Sequence, residues 1–193
     1  MLSIGPKMDG GPNIKYFEAS ETLAALEGVK QWLQKNGKKY VQNEPLTNKS
    51  LAATTVQLMQ FQEDFFGIPV KCFLDFKPGG GLCHILLAAY RFKSEHGWRR
   101  FELPSGKNAS SKLERVFEMY QNMEKALIGM KMYTLPIVYI RPDIDKAVVI
   151  KLKDIIRRRG GQVVDSEESA SHIIYGSVDP LKEEYGRPVI KKR

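Results

Sequence analysis

Apolar side chains recur at three- and four-residue spacing in four stretches of the first two thirds of the chain, and this pattern predicts four amphipathic helices. The first helix runs from Ser20, a suitable capping residue, to about Asn36, and Gly37 ends it. Thr47 or Asn48 caps the second. The apolar stripes are Leu26, Val29 and Leu33; Leu51, Leu58, Phe61 and Phe65; Leu82, Ile85, Leu86 and Ala89; and, in a fourth helix near Ser111–Ile128, Leu113, Phe117, Tyr120 and Leu127.

Two segments between these helices have the composition of short strands. The apolar and aromatic run Cys72–Phe76 predicts a strand, and the glycines after Pro78 predict a turn. The segment Glu95–Leu103, EHGWRRFEL, alternates around aromatic residues and predicts a wing-like strand or hairpin arm. Several helices with one or two short strands are typical of a winged helix-turn-helix, and we expect this domain to end before Pro136.

The last third of the chain has a different order of elements. A strand, a helix, a Gly-Gly pair and two more strands follow one another, at Ile137–Ile140, Lys146–Arg159, Gly160-Gly161, Gln162–Val164 and His172–Tyr175. Because a helix that connects two strands of one sheet makes them parallel, this order predicts a small α/β domain with a parallel sheet.

Three details of the helix in that domain follow from its sequence. Asp145 is a suitable N-cap, and Gly160 supplies the left-handed residue that closes the helix. The arginines of the last turn complement the carbonyl end of the helix dipole. We expect a buried stripe formed by Val148, Leu152, Ile155 and Ile156.

Composition narrows the classes of protein only a little. The chain has 193 residues, of which 42% are hydrophobic, and this allows one large or two small packed domains. A formal charge of +8 and a pI of about 9.4 favour acidic partners such as nucleic acid, without identifying one. The two cysteines are too few for a disulfide framework, and no stretch approaches the ~18–20 apolar residues that span a membrane. We therefore expect no membrane partner.

Two groups of residues have the residue types of a nucleotide site or a metal site, but neither has the spacing that such a site requires. The glycine loop Lys77–Gly81 lacks the Lys-Ser/Thr pair of a P-loop, and His84 stands where the dinucleotide fingerprint has its third glycine. Cys72, Cys83, His84 and His96 lack the paired spacing of common zinc sites. We expect a tight turn that opens a helix, two core cysteines and ordinary histidines.

The sequence evidence for catalytic groups is equally weak. A dyad of Cys83 with His84 or His96 has the residue types for nucleophilic attack, but Cys83 adjoins the apolar stripe of its helix. A polar turn between two strands accounts for the carboxylates Asp165, Glu167 and Glu168. We expect no catalytic residue, no cofactor site and no metal site, and an enzyme is the weakest of the functional hypotheses.

Basic residues are the candidates for contact with nucleic acid or a protein partner. In the segment around Trp98 and Phe101, Arg99 and Arg100 reach DNA phosphates or a protein partner if the aromatic rings pack inward. The same arginines are merely solvated in the simpler interpretation. Arg157 and Arg158 are the second candidate pair, although arginines at a helix end need no ligand.

Several blocks resemble one known family in the same order. The resemblance is to the amino-terminal module of the Moira-type scaffold subunits of SWI/SNF (BAF/Brahma) chromatin remodellers. Its strongest block is Cys72–Leu103, CFLDFKPGGGLCHILLAAYRFKSEHGWRRFEL. The other matching blocks are Gln31–Tyr40 (QWLQKNGKKY), Gln57–Asp64 (QLMQFQED), Tyr139–Asp145 (YIRPDID), Ala170–Tyr175 (ASHIIY) and Arg187-Pro188.

The resemblance implies a MarR-like winged-helix region over residues 14–133 and a BRCT domain over 135–193. It also implies a nuclear, non-catalytic scaffold that contacts the remodeller ATPase and other core subunits and meets nucleosomes indirectly, with at most weak DNA contact. The alternative is an autonomous winged-helix DNA-binding regulator. The candidate reader helices Thr47–Phe65 and Leu82–Phe92 have no obvious Arg/Asn/Gln-rich face, which disfavours that alternative.

Departures from the family pattern add three expectations. Only 59 residues remain from Leu135 onward, so we expect a BRCT domain that is incomplete at its C-terminus, in a fragment or a short product without the family's later regions. Ile173 and Ile174 should then lie near an unprotected sheet edge. The sequence Arg141-Pro142-Asp143 stands where phosphopeptide-binding relatives present Ser or Thr, and an aspartate there repels phosphate. We therefore do not expect phosphopeptide binding.

Overall fold

The computed structural model describes residues 14–65, 67–101, 103, 110–176 and 189–192. The chain divides into two compact units, residues 1–133 and 134–193. The first unit is helical and the second contains a small sheet, so the α+β class expected from the sequence is confirmed. The Arg187-Pro188 block and the side chain of Phe65 lie outside the described part of the chain.

Helices make up the regular structure described in the first unit. They are α1 (Ile14–Glu18), α2 (Ser20–Asn36), α3 (Lys38–Val41), α4 (Asn48–Phe65), α5 (Val70–Phe73), α6 (Gly81–Glu95) and α7 (Ser110–Gly129).

The helical stripes pack into one core. Those of α2 and α6 are confirmed, because their seven residues have no exposed surface. In α7 the fully buried face is shifted from the prediction: Leu113 and Phe117 are only partly buried. The Tyr120 hydroxyl donates a 2.6 Å hydrogen bond to the Leu58 carbonyl, which joins α7 to α4. Among the described side chains of α7, those without exposure are Val116, Met119, Tyr120, Met123 and Leu127.

Two helix starts test the predicted caps. Thr47 caps α4, since its Oγ1 accepts from the Ser50 amide at 3.0 Å while Ser50 Oγ accepts from the Thr47 amide at 2.9 Å. The predicted Ser20 cap is wrong, because Ser20 is already the first helical residue and Ala19 precedes it without a side-chain cap.

The strand predicted over Cys72–Phe76 is also wrong. Residues Val70–Phe73 form the single helical turn α5, which the Leu74 amide closes by donating to the Val70 carbonyl at 3.2 Å. Consecutive residues Cys72 and Phe73 are both buried, which a two-residue alternation does not allow.

The wing-like strand predicted over Glu95–Leu103 is not formed by its described residues. Helix α6 continues to Glu95, and Gly97 then adopts a φ of 65°. The Trp98 amide donates to the Lys93 carbonyl at 2.9 Å, so the chain folds back on the end of α6. The aromatic residues that suggested a strand are three positions apart and serve as anchors for this turn.

The second unit contains a four-stranded sheet and one helix among its described residues. In chain order the elements are β1 (Ile137–Ile140), α8 (Lys146–Arg158), β2 (Gln162–Val164), β3 (His172–Tyr175) and β4 (Val189–Lys192). The strand order is β2-β1-β3-β4, and β2 and β3 both pair with β1 in parallel, as predicted. Asp145 caps α8, and Gly160 has the left-handed φ of 74° expected of it.

Strand β4 corrects the expected sheet edge. It runs antiparallel to β3, with Ile173 opposite Lys191 and Ile174 opposite Ile190. Both isoleucines are nearly fully buried. Strand β3 is therefore an interior strand, and its expected unprotected edge is wrong.

The buried stripe of α8 also differs from the prediction. Val149, Leu152 and Ile156 pack against the small core that contains Val138 and Ile174. Val148 and Ile155 are 38% and 56% exposed, so placing them in the stripe is wrong. Residues 147–150 are all apolar, so the sequence alone does not settle which of the two valines faces the sheet.

Candidate interaction surfaces

The glycine loop is a structural turn, and a carboxylate of the protein itself lies where a phosphate would bind. Asp75 lies in front of α6, and its carboxylate accepts from the Gly81 amide at 2.8 Å and from the Lys77 amide at 3.4 Å. A Cβ on Gly80 would lie 2.6 Å from that carboxylate, so glycine leaves the space Asp75 occupies. Because the carboxylate already bonds the helix N-terminus, this loop offers no phosphate cradle.

The cysteines and His84 serve packing. Cys83 is fully buried, and its thiol donates to the Lys77 carbonyl at 3.4 Å. His84 makes an edge contact with Trp32 at 5.1 Å, and burial lowers the pKa of its imidazole. Within the described ranges, no cluster of three His, Cys, Asp or Glu residues has an arrangement that could hold a metal ion.

Both thiols are expected to be chemically inert in the folded protein. Burial raises the pKa of Cys72 and Cys83, which reduces the reactive thiolate at neutral pH. Alkylation by iodoacetamide should be at least about a hundredfold slower in buffer than in urea, because it requires opening of the core. Mass spectrometry of the labelled protein measures both rates. Equal rates would contradict the packing of α5 against α6.

A short arm follows α6 and is fixed by aromatic contacts; we call residues His96–Phe101 the aromatic arm. The His96 ring stacks on Phe92 with 3.8 Å between centroids, and its Nδ1 lies 2.9 Å from the Phe92 carbonyl oxygen. Trp98 makes an edge contact with Phe92 at 5.4 Å, and Phe101 makes one with Tyr90 at 5.3 Å. Burial raises the pKa of Tyr90 to about 12, so its hydroxyl stays neutral.

A buried ion pair lies beneath this arm. Lys93 of α6 is only 4% exposed and forms a salt bridge with Glu44, 49 residues earlier in the loop before α4. The Lys93 ammonium also lies 5.6 Å from the centre of the Phe101 ring. The pair therefore ties the α3–α4 loop, the end of α6 and the arm to one another.

The arm presents Arg99 and Arg100 to solvent. Both arginines are exposed, whereas Trp98 and Phe101 on either side pack against the core. The structure thus brings this candidate pair together on a braced turn. Because backbone and aromatic anchors hold the turn, a partner that binds the two guanidinium groups has less conformational entropy to remove from the backbone.

The second candidate pair belongs to the other unit. Arg157 and Arg158 are exposed in the last turn of α8, and Arg158 forms a 2.8 Å ion pair with Asp154. Exposed pairs of this kind contribute little to stability.

Two contacts of basic side chains with aromatic rings were not predicted from the sequence. Lys39 and Arg91 lie 5.7 and 6.0 Å from the centre of the Tyr40 ring, on α3 and α6. In the second unit the Arg141 guanidinium lies 5.3 Å from the Tyr175 ring and 3.2 Å from an Asp143 oxygen. The basic run at 38–39 was visible in the sequence, but nothing local pairs it with Arg91.

Comparison with known families places the chain in a class of domain found in chromatin complexes. Residues 6–133 match the family described as the SWIRM-associated domain at the N-terminal. The matched segment is more than half of the chain, so the chain belongs to the SWIRM-associated domain family. This membership points to a Moira-like subunit of a SWI/SNF-type chromatin-remodelling complex, and hence to the nucleus. Among the described residues, no helix is both long and apolar enough to cross a bilayer.

Proposed function

We propose that this chain is a non-catalytic scaffold and interaction module of a SWI/SNF-type ATP-dependent remodeller, where it supports transcription regulation. The family match over residues 6–133 carries the proposal. The geometry agrees with it, because the candidate chemical groups of the first unit serve packing: Asp75 caps a helix, and both cysteines are buried. What the unit offers a partner is surface, above all the braced aromatic arm.

The finer assignments of the two units belong to the same proposal. A MarR-like identity for residues 14–133 is supported by the helical composition and the family match. A BRCT-like identity for 135–193 is supported by the parallel β2-β1-β3 order and the connecting helix α8. We propose that the partners are the remodeller ATPase and other core subunits, with nucleosomes contacted indirectly.

Co-sedimentation tests membership of the complex. A tagged chain expressed in cells of its own organism should migrate in a glycerol gradient of nuclear extract with the remodeller ATPase. A Leu86→Asp variant is the matched control, since a charge at this fully buried site unfolds the first unit. Migration of the wild-type chain only as a free protein of 21.9 kDa would oppose the proposal.

We propose further that Arg99 and Arg100 contact an acidic partner surface in that complex. Reversing both charges should lower recovery of the complex about tenfold, because two like-charge contacts replace two attractive ones. The melting temperature should stay within a few degrees, since both side chains are exposed. Quantitative mass spectrometry of purified complexes measures the recovery.

The control for this experiment reverses two exposed charges elsewhere, at Arg115 and Lys125 of α7. It should leave recovery within about twofold of the wild type. Equal losses in both double variants would mean that net charge, rather than the arm, governs assembly.

Weak DNA contact through the same arm is a second candidate, favoured by the exposed arginine pair. It predicts DNA binding that weakens steeply with salt and does not depend on the DNA sequence. The slope of log affinity against log salt concentration should decrease in magnitude by about two when the charges of Arg99 and Arg100 are reversed. Fluorescence anisotropy with duplex DNA at several salt concentrations measures that slope. An unchanged slope would exclude the arm from DNA contact.

A further inference from the structure

The aromatic arm is held differently in its near and far parts. Its near part, residues 96–98, is held by backbone hydrogen bonds, such as the one that the Trp98 amide donates to the Lys93 carbonyl at 2.9 Å. Within the part of the chain that the structure describes, no backbone hydrogen bond holds residues 99–101. The Phe101 ring is therefore the anchor that fixes where the two arginines of the arm lie.

The Phe101 ring rests on two residues of α6. Its centroid lies 5.3 Å from the centroid of the Tyr90 ring and 5.6 Å from the Lys93 ammonium nitrogen. Tyr90 is buried in the core of the first unit, so this half of the seat is fixed. The other half is a charged group, and its position depends on its counter-charge.

Glu44 supplies that counter-charge. It lies in the loop between α3 and α4, and its carboxylate forms the salt bridge with Lys93. No second carboxylate among the described residues forms a salt bridge with this lysine. An ammonium that is only 4% exposed is stable there when it is paired, because an unpaired charge in the core has lost its hydration without compensation.

Loss of the carboxylate would release the ammonium toward water. Lysine carries its charge on a flexible four-carbon stem, and such stems extend to bring the charge into solvent. The Phe101 ring lies next to the Lys93 ammonium and is itself only partly buried, so displacing this ring opens a path to solvent. A methionine at position 93 has no charge to hydrate, and its sulfur makes favourable contacts with an aromatic ring.

We propose that Glu44 is a positioning residue for the aromatic arm: through the Lys93 ammonium it keeps the Phe101 ring seated, and so holds Arg99 and Arg100 where a partner meets them. A seated arm has less conformational entropy to lose on binding than a released one. The contact made by the two arginines rests on the proposed function, whereas the seating of the arm is a property of the isolated chain.

A spin label at position 100 of the isolated chain reports on the far part of the arm. Arg100→Cys supplies an exposed thiol, and a nitroxide reagent labels it selectively because Cys72 and Cys83 are buried. The width of the central line in the electron paramagnetic resonance spectrum measures the mobility of the label. Phe101→Ser removes the anchor and defines the line width of a released arm.

The two partners of the ion pair should behave differently in this measurement. Glu44→Gln should narrow the central line at least halfway to its width in Phe101→Ser, because the unpaired ammonium displaces the ring. Lys93→Met should keep a line width close to that of the otherwise unchanged labelled chain, because the ring stays seated on an apolar side chain.

Gly81→Ala controls for a loss of stability that is unrelated to the arm. Gly81 is the first residue of α6, where a Cβ would crowd the Cys72 backbone, and the arm follows the other end of that helix. This variant should keep the line width of the labelled chain. Unchanged circular dichroism confirms that each variant is folded during the measurement.

Recovery of remodeller complexes connects the seating of the arm to its partner. Glu44→Gln should lower recovery at least about threefold, because the arginines are no longer held in place. Gly81→Ala should leave recovery within about twofold of the wild type. If reversing the charges of Arg99 and Arg100 has no effect on recovery, the proposed partner contact fails, while the line widths still decide whether Glu44 seats the arm.

Three results would overturn the positioning role. The first is an unchanged line width in Glu44→Gln. The second is equal narrowing in Lys93→Met, because loss of the pair rather than release of the ammonium would then move the arm. The third is equal narrowing in Gly81→Ala, which would reduce the effect to a general loss of stability.

Discussion

Replacing Glu44 by glutamine is expected to lower the free energy of unfolding of the first unit by about 3 kcal/mol. The substitution keeps the side-chain shape and removes the carboxylate that Lys93 faces. Lys93 is only 4% exposed, so its ammonium would be left in the core without a counter-charge. Urea unfolding followed by tryptophan fluorescence is well suited to this measurement, because both tryptophans, Trp32 and Trp98, lie in the first unit.

Substitution of the other partner, Lys93, should lower the free energy of unfolding by less. The difference between the two losses is the sharper test of the buried ammonium. Lys93→Met removes the buried charge, and the Glu44 side chain, at 21% exposure, can still be hydrated. We expect a loss of about 1 kcal/mol, and a loss of similar size when both substitutions are combined, because neither variant leaves an unpaired charge in the core. A larger loss for Lys93→Met than for Glu44→Gln would contradict the burial of the ammonium.

An exposed pair on the same helix provides the control. Arg91 and Glu95 lie 2.9 Å apart with both side chains largely exposed. Glu95→Gln should therefore change the free energy of unfolding by less than about 0.5 kcal/mol.

Gly81→Ala is expected to destabilise the first unit by about 2 kcal/mol, although alanine is the better helix former. A Cβ at this first residue of α6 would lie 2.8 Å from the Cys72 carbonyl oxygen and 2.9 Å from its Cα. Both atoms are backbone, so α5 and α6 would have to move apart. The same urea titration measures the loss.

Gly129→Ala separates crowding from helix propensity. Gly129 is the last residue of α7, and a Cβ there would meet no atom within 4 Å. We expect stability between unchanged and about 1 kcal/mol higher. Wild-type stability in the Gly81→Ala variant would contradict the close approach of α5 and α6.

The longer helices α2, α4, α6 and α7 were predictable because their signals are local, whereas the short helices α1, α3 and α5 were not predicted. Three- and four-residue spacing places residues such as Leu26 and Leu86 on one side of a helix whatever the rest of the chain does. The caps at Thr47 and Asp145 are local for the same reason, since each bonds amides within three residues.

Most errors arose where contacts outside a segment decide its structure. Trp98 and Phe101 suggested a strand, but the chain there is held by the backbone and side chains of α6. The phase of α8 was ambiguous because Val148 and Val149 are identical and adjacent. The pairing of Lys93 with Glu44 had no sequence signal at all, since it joins residues 49 positions apart.

The exposure of the candidate contact residues was predictable only where local sequence decides it. Exposure of Arg99 and Arg100 followed from the neighbouring aromatic residues, once these are taken as inward-facing. The exposed isoleucines of α8 could not be recognised from the sequence, because which apolar residues face the sheet depends on the register between helix and sheet.

Affinity purification tests the central claim most directly. The tagged chain is recovered from nuclear extract, and the co-purifying proteins are quantified by mass spectrometry against the Leu86→Asp variant. Membership in a SWI/SNF-type complex predicts that the remodeller ATPase and other core subunits are enriched with the folded chain and lost with the unfolded variant. Recovery of the folded chain, and of the longer family protein tested in parallel, without any remodeller subunit would contradict it.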